Sequence, residues 1–294
     1  NMKKIQQFEP NLGEEEKKEL LSVIDSGWYT ESKKTREFEN IFANFVGRKY
    51  AVATTSGTVA LTIAIQGLGL EKENEVIIPD LTFVASPNSV ILAGSKVSLV
   101  DIQKDNLCLD IEKTKQKVSD KTKAIMPVDF NGRAPDLISL KEFAEKSGLF
   151  IIEDSCHGIG SFYGGKHTGC YSDVGIFSFS TPKIITTGQG GMLVTDNVEL
   201  YEKFRMIKDF GRDVDKKHQM ENAFDHVEMG YNFKFTEFQA AVGIAQMKKL
   251  SQRVEHNKKM FQLYKENLAS IPEIEFVDLD LKTSVPWFVD ILLP

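Results

Sequence analysis

Residues 174–196 read VGIFSFSTPKIITTGQGGMLVTD, and this stretch decides how the chain can fold. Apolar residues dominate its two ends, 174–180 and 190–196, which predicts two buried strands. The link between them, residues 181–189, is shorter than the dozen or so residues that a crossover between parallel strands needs. We therefore expect these strands to be antiparallel or to lie apart, with Lys183 on the connecting loop.

Strand-like and helix-like patterns alternate upstream of this stretch. Helical patterns occur at 56–69, beginning at Ser56, and at 135–148, ending at Gly148. Such alternation predicts an α/β fold with a mostly parallel sheet and helices on both faces. The strand-like runs are EVIIP at 75–79, KVSLVDI at 96–102, KAIMPVDF at 123–130 and LFIIEDS at 149–155.

The C-terminal part of the sequence has a different organisation. Thr236 and Gln239 have the spacing of a capping box, and residues 251–271 read as a long amphipathic helix that leads away from the sheet. The final run SVPWFVDILLP, residues 284–294, reads as a strand. We expect a large domain over residues 1–250, with an N-terminal arm, and an incomplete small domain over 251–294.

Composition excludes several classes of protein. The chain has 294 residues, 41% of them hydrophobic, and a net charge of −6, which disfavours nucleic acid as the main partner. No apolar run is long enough for a membrane span, and residues 1–10 lack the apolar core of a signal peptide. The three widely spaced cysteines indicate a reduced, cytoplasmic protein, and we assign no metal site.

Polar and aromatic residues follow the predicted strands at their carboxyl ends, where open α/β sheets bind ligands. Each has an ordinary structural interpretation by itself: a cap, a core ring, a structural histidine or an ion-pair partner. Ser56 opens a helix with glycine next to it, a pattern that can also bind phosphate. The other candidates at strand ends are Thr82, Phe83, Asp129, Asp154, His157, Ser178 and Lys183.

Taken together, these residues suit pyridoxal phosphate (PLP). That cofactor needs a Schiff-base lysine, for which Lys183 qualifies, and an acid partner for its pyridine nitrogen, for which Asp154 qualifies. Phe83 could lie flat on the ring, and the helix start at Ser56 could hold the phosphate. The apolar surroundings of Lys183 would lower the pKa of its amine by desolvation and so favour reaction.

Ordered sequence blocks extend this interpretation along the chain. Together they resemble the DegT/DnrJ/EryC1/StrS family of PLP-dependent sugar aminotransferases. The resemblance implies the PLP-dependent transferase fold of the aspartate aminotransferase type, with a mixed, mostly parallel seven-stranded sheet. The blocks are SGW at 26–28, EFE at 37–39, TSGTVAL at 55–61, PDLTFVAS at 79–86, residues 151–183, GQGGMLVT at 188–195 and GYNFKFTEFQAA at 230–241.

The resemblance also implies roles around the cofactor ring. Lys183 matches the lysine that binds PLP covalently, and Asp154 matches the carboxylate that pairs with the pyridine N–H. Phe83 matches the aromatic that stacks on the ring. His157 falls where the family has glutamine or histidine near the ring hydroxyl.

Further matches concern the phosphate and the assembly. Gly57, Thr58 and Ser178 match phosphate contacts, and Asn232 matches a residue that reaches the phosphate from the neighbouring subunit. A homodimer with shared active sites is therefore implied. Ser32 stands where many relatives have glycine, a difference that we expect to alter substrate access. The resemblance also implies that the family's small domain is incomplete in this sequence.

The resemblance implies amino transfer from L-glutamate to a nucleotide-diphosphate-linked 4-keto-6-deoxy sugar. A 3-keto acceptor and a non-catalytic PLP-binding regulatory protein stay open as alternatives. A sugar dehydratase of the same fold is disfavoured, because such relatives have histidine in place of Lys183. A nicotinamide dehydrogenase is disfavoured by the lack of an early GxGxxG.

Overall fold

A computed structural model describes residues 9–212 and 225–294, so most of segment 1–10 lies outside the described residues. Helices are α1 Glu14–Ser26, α2 Lys33–Val46, α3 Gly57–Gly67, α4 Ala85–Leu92, α5 Ile111–Lys117, α6 Leu137–Ser147, α7 Val198–Lys208 and α8 Glu237–Leu268. Strands are β1 Tyr50–Thr54, β2 Glu75–Pro79, β3 Lys96–Val100, β4 Thr122–Ile125, β5 Phe150–Asp154, β6 Phe162–Tyr163, β7 Lys166–His167, β8 Val174–Ser178, β9 Gly191–Thr195, β10 Glu275–Phe276 and β11 Ile291–Leu292.

The central sheet has seven strands in the order β1-β9-β8-β5-β4-β2-β3. Strands β8, β5, β4, β2 and β3 pair in parallel, whereas β9 is antiparallel to both β1 and β8. Residues 174–196 predicted two strands that are either antiparallel or apart, and the first alternative is confirmed: β8 and β9 are adjacent and antiparallel. Residues 181–189 are too few to form a crossover between parallel strands, so the chain reverses direction between β8 and β9.

Helices cover both faces of this sheet, as predicted. Within β9, Met192 and Val194 pack in one buried cluster with α2 and α8 residues, while Leu193 packs in another with α3 and α7 residues. Successive strand residues point to opposite faces, so each face needs its own helical cover. The α/β class and the mixed, mostly parallel seven-stranded sheet are therefore confirmed.

Three sequence predictions need correction. Strand β1 was not expected, because its alanines, Ala51 and Ala53, have weak strand propensity. The capping box at Thr236 and the helix predicted over residues 251–271 belong to one helix, α8, so the proposed domain boundary lies inside a helix. The division into two domains stays a prediction.

The third correction concerns residues 284–294. Only Ile291–Leu292 is a strand, and it pairs with Glu275–Phe276. Upstream, the N–H groups of Trp287 and Phe288 both donate to Asn131 Oδ1, at 2.8 and 2.9 Å. Tertiary hydrogen bonds to one side chain thus replace the expected strand pairing.

Among the residues that the structure describes, no helix is both long enough and apolar enough to cross a bilayer.

Candidate active site

The order of three strands creates the centre of the site. Gly191 at the start of β9 is level with Thr54 at the end of β1 and with Ser178 at the end of β8. The loop after β1 and the loop after β8 therefore emerge side by side. This arrangement brings Gly57, the first residue of α3, against Ser178.

Glycines make this close approach possible. A Cβ on Gly191 would lie 2.3 Å from the Ser56 carbonyl oxygen, and a Cβ on Gly57 would lie 3.1 Å from Ser178 Cβ. The Ser56 hydroxyl accepts a hydrogen bond from Val59 N–H at 3.2 Å, as the predicted cap should. The N–H groups at the beginning of α3 point toward the carboxyl edge of the sheet, where the helix dipole favours an anion.

Asp154 closes strand β5 and is almost fully buried. Its Oδ2 accepts a hydrogen bond from the Ser86 hydroxyl at 2.8 Å, and its Oδ1 accepts one from Cys156 N–H at 3.2 Å. Hydrogen bonds to both oxygens fix the orientation of the carboxyl group. The side chain can therefore serve as an immobile negative charge.

Lys183 lies on the β8–β9 loop, as predicted, and its side chain is half-buried. Burial lowers the pKa of its amine, while Cys156 and Asp154 act in the opposite direction. The Nζ atom lies 3.7 Å from the centroid of the Trp287 ring. The sequence interpretation of Lys183 as a desolvated amine agrees with this environment.

His157 is buried beside Lys183. Burial and the positive charge of Lys183 both hold the pKa of His157 well below its usual value, so the imidazole is neutral. Its Nδ1 accepts a hydrogen bond from Asn131 N–H at 3.4 Å, and its ring lies 4.2 Å from that of Trp287, centroid to centroid. Because Nδ1 accepts, the neutral imidazole carries its proton on Nε2 and can donate a hydrogen bond there.

Phe83 and Asn232 differ from the buried candidates. Phe83 follows Thr82, whose hydroxyl is 2.7 Å from that of Ser86, and 65% of Phe83 is exposed. A flat ligand could therefore cover its ring. Asn232 is also exposed, and its backbone pairs with Asp209. Within the described chain, no hydrogen bond or ring contact joins Asn232 to the other candidates.

Sequence reasoning missed three residues that shape the site. Ser86 could have been noticed, because it ends the block that contains Phe83. Asn131 is fully buried in a left-handed backbone conformation, with φ 53°, which no sequence motif announces. Trp287 was assigned to a strand, and only the fold places it against Lys183.

Two residues singled out from the sequence, Asp129 and Ser32, have structural contacts. Asp129 lies at a strand end but is fully buried, and its Oδ2 accepts a hydrogen bond from the Ser155 hydroxyl. It is therefore part of the support beneath the site. The backbone N–H of Ser32 donates to the Glu237 carboxylate at 2.8 Å, so this residue begins α2 and is anchored to α8.

The residues present fit PLP as a cofactor. Gly57 and Ser178 form a cradle that side chains at Gly57 or Gly191 would obstruct, and it opens at the start of a helix. Asp154 presents a fixed carboxylate, Lys183 a partly desolvated amine and Phe83 an uncovered ring. An α/β sheet with this donor set at its carboxyl edge defines a PLP-dependent enzyme.

Comparison with known proteins gives the family. The model of the DegT/DnrJ/EryC1/StrS aminotransferase family matches residues 10–293. The GDP-perosamine synthase of Vibrio cholerae is 35% identical over 266 residues, which are 90% of this chain and 71% of the synthase. The chain belongs to the DegT/DnrJ/EryC1/StrS aminotransferase family. The predicted class, a PLP-dependent sugar aminotransferase, and its cofactor are confirmed.

Comparison with solved structures gives the same fold. The aminotransferase TlmJ from Streptoalloteichus hindustanus has a TM-score of 0.92 at 26% identity, over 99% of this chain and 79% of TlmJ. A GDP-4-keto-6-deoxymannose-3-dehydratase with a trapped PLP–glutamate geminal diamine has a TM-score of 0.91 at 26% identity, over 99% of this chain and 80% of the dehydratase. The predicted fold type is confirmed.

Proposed function

We propose that this enzyme transfers the amino group of L-glutamate to the ketone of a nucleotide-diphosphate-linked 4-keto-6-deoxy sugar. The observation that carries the proposal is the meeting of Lys183, Asp154 and His157 at one edge of the sheet. The name of the Vibrio cholerae relative, GDP-perosamine synthase, supports a nucleotide sugar as acceptor. The dehydratase named above supports both a 4-keto-6-deoxy sugar and glutamate as ligands of this fold. The proposal leaves the nucleotide base open.

Lys183 and Asp154 have complementary roles in this proposal. When bound, PLP supplies a carbonyl that accepts the amino group and a ring that accepts electrons from the reacting carbon. The carboxylate of Asp154, fixed by Ser86, holds the proton on the pyridine nitrogen. The amine of Lys183, whose pKa burial lowers, accepts and returns the proton of the substrate carbon as a general base and acid.

The remaining candidates hold the cofactor in the proposed site. The N–H groups of Gly57 and Thr58 and the hydroxyl of Ser178 bind the phosphate at the start of α3. Phe83 stacks on one face of the ring. His157, neutral because it is buried, forms a hydrogen bond near the ring hydroxyl.

We also propose a homodimer in which Asn232 completes the site of the neighbouring subunit. The side chain is exposed and lies apart from the other phosphate candidates of its own chain. Large apolar side chains on α4 and the loop before it are exposed too, which suits an interface. They are Val84, Ile91 and Leu92, with 57–65% of each residue exposed. The proposed setting is the cytoplasm, because the described cysteines are free.

A first experiment tests the role of Lys183. The protein is mixed with PLP, reduced with borohydride and digested, and the peptide that carries the cofactor is identified by mass spectrometry. The label should lie on Lys183, and the Lys183→Ala variant should carry none there. A label confined to another lysine would refute the assignment.

A second experiment tests the substrate. Glutamate is supplied with a 4-keto or a 3-keto nucleotide sugar, and NMR reads the position of the new amine. Amination at C4 is expected. Amination at C3 alone would refute the 4-keto acceptor, and loss of a hydroxyl without amination would indicate a dehydratase. Cofactor fixation without turnover of any amino acceptor would favour the non-catalytic alternative.

A third experiment tests the shared site. Lys183→Ala chains and Asn232→Ala chains are each inactive in the proposed scheme. Mixed dimers would contain one intact site, so activity should return after subunit exchange. If exchange is demonstrated by mass spectrometry and activity stays absent, Asn232 does not act across a subunit boundary.

A further inference from the structure

Trp287 lies against the amine of Lys183. The Nζ atom is 3.7 Å from the centroid of the indole, which places the amine in contact with the ring face. Two hydrogen bonds hold the indole there: Nε1–H donates to the Pro182 carbonyl at 2.7 Å, and the backbone N–H donates to Asn131 Oδ1 at 2.8 Å. The ring therefore does not depend on Lys183 for its position.

The contact has a defined electrostatic effect. The face of an aromatic ring carries negative partial charge, and tryptophan attracts cations most strongly among the aromatic side chains. The attraction increases when the cation is desolvated, as the partly buried Lys183 is. An indole face stabilises an ammonium group but accepts no proton from it, unlike a carboxylate or an imidazole.

We propose that Trp287 is a positioning residue that holds the free ammonium group of Lys183 at the edge shared with Asp154 and His157. The role applies whenever Lys183 is not bonded to the cofactor. The indole face favours the proton on Nζ and does not itself accept it, so the ammonium group stays in place for transfer to the substrate carbon. This inference rests on the proposed function of Lys183.

The test changes the charge on the ring face and keeps its size. The chain has two tryptophans, so a Trp28→Phe background leaves Trp287 as the single site for fluorinated tryptophan. Successive fluorine atoms withdraw electrons from the ring face and leave the Nε1–H donor in place. Cofactor-free protein is labelled with trace acetic anhydride across a range of pH, and mass spectrometry of the Lys183 peptide gives the pKa of its amine.

We expect the pKa of Lys183 to fall with each added fluorine, by a total of ~0.4 to ~1.5 units. Lys141, which is exposed on α6, serves as the internal reference and should not shift. Trp287→Phe keeps an aromatic face and should leave the pKa of Lys183 higher than in Trp287→Leu. The fluorinated series keeps the test valid if either truncated variant fails to fold.

An unchanged pKa of Lys183 across the series would refute the proposal, as would an equal shift of Lys141. Borohydride fixation is a separate measurement. Fixation at another lysine, together with the expected pKa series, would refute the catalytic role of Lys183 and with it the positioning role. The two failures can therefore be told apart.

Discussion

Replacing Asn131 by glycine should release residues 283–290, the C-terminal segment, from the sheet domain. The Asn131 side chain makes three hydrogen bonds to this segment: Oδ1 accepts from the N–H groups of Trp287 and Phe288, and Nδ2 donates to the Phe288 carbonyl at 3.0 Å. Glycine tolerates the left-handed backbone of residue 131, so the substitution removes these bonds without adding backbone strain.

The size of the effect follows from the number of bonds. A typical intramolecular hydrogen bond contributes ~0.5–1.5 kcal/mol net, so three contribute ~1.5–4.5 kcal/mol to docking of the segment. At ~1.4 kcal/mol per factor of ten, the local opening equilibrium should rise ~10- to ~10³-fold. Asn257 donates one hydrogen bond to the same segment, to the Pro286 carbonyl at 3.0 Å. Asn257→Ala should therefore raise the opening equilibrium only ~2- to ~10-fold.

Hydrogen exchange at residue resolution measures this opening. The Val285 amide is the best reporter, because it donates to Ser161 Oγ at 2.9 Å and loses no partner directly in either variant. Its exchange rate should rise in the order wild type, Asn257→Ala, Asn131→Gly. The Ile152 amide in the centre of the sheet reports global unfolding, whose free energy should stay above that of the Val285 opening in every variant.

The reasoning fails if Val285 keeps its protection in Asn131→Gly while Trp287 and Phe288 lose theirs. The segment would then be held by its other contacts, and Asn131 would satisfy two amides without docking anything. Equal free energies of opening at Val285 and Ile152 would also contradict the prediction, because the segment would then open only by global unfolding.

Three other perturbations address the acid partner, the phosphate cradle and a buried cation. Asp154→Asn should keep the fold and lower turnover ~10²- to ~10³-fold. Ser86→Ala removes one hydrogen bond to Asp154 and should lower turnover ~10-fold. Circular dichroism checks that each variant is folded, and steady-state kinetics measures its turnover. Gly191→Ala should cost ~1–3 kcal/mol in urea unfolding and weaken PLP binding in a cofactor titration, because its Cβ meets backbone atoms at 2.3–2.7 Å. Burial lowers the pKa of Lys208 to about 7, so above that pH the unfolded chain binds more protons than the folded chain, and stability should rise toward pH 9. The urea midpoint of the wild type should therefore increase with pH. This increase should disappear in Lys208→Met and persist in the control variant Lys203→Met.

Much of the sheet could be predicted because its signals are local. Burial on both faces makes β5, β8 and β9 read as apolar runs, and the short link forces the last two to be antiparallel. Caps are also local: Thr236 and Gln239 form the predicted capping box on α8, and Ser56 caps α3. Strand β1 was not predicted because its alanines have weak strand propensity.

The candidate site was found by combining weak local signals at strand ends. That method works in α/β proteins because parallel strands end at one edge of the sheet. It placed Asp154, His157, Ser178 and Lys183 together, and the structure agrees that these residues share one edge. It could not decide their roles, which stay a proposal, or the distances between them.

Contacts between residues far apart in sequence were decided by the tertiary structure alone. The Ser86 hydroxyl reaches Asp154 across 68 positions, and Trp287 Nε1–H reaches the Pro182 carbonyl across 105. The start of α2 is capped by the carboxylate of Glu237, which accepts the N–H groups of Ser32, Lys34 and Thr35. Such partners have no periodicity or spacing in the sequence, because they meet only after strand order and helix packing have set which loops are neighbours. The sequence by itself determined which residues prefer strands, helices and caps, whereas the packing of the sheet and its helices decided which side chains meet Lys183.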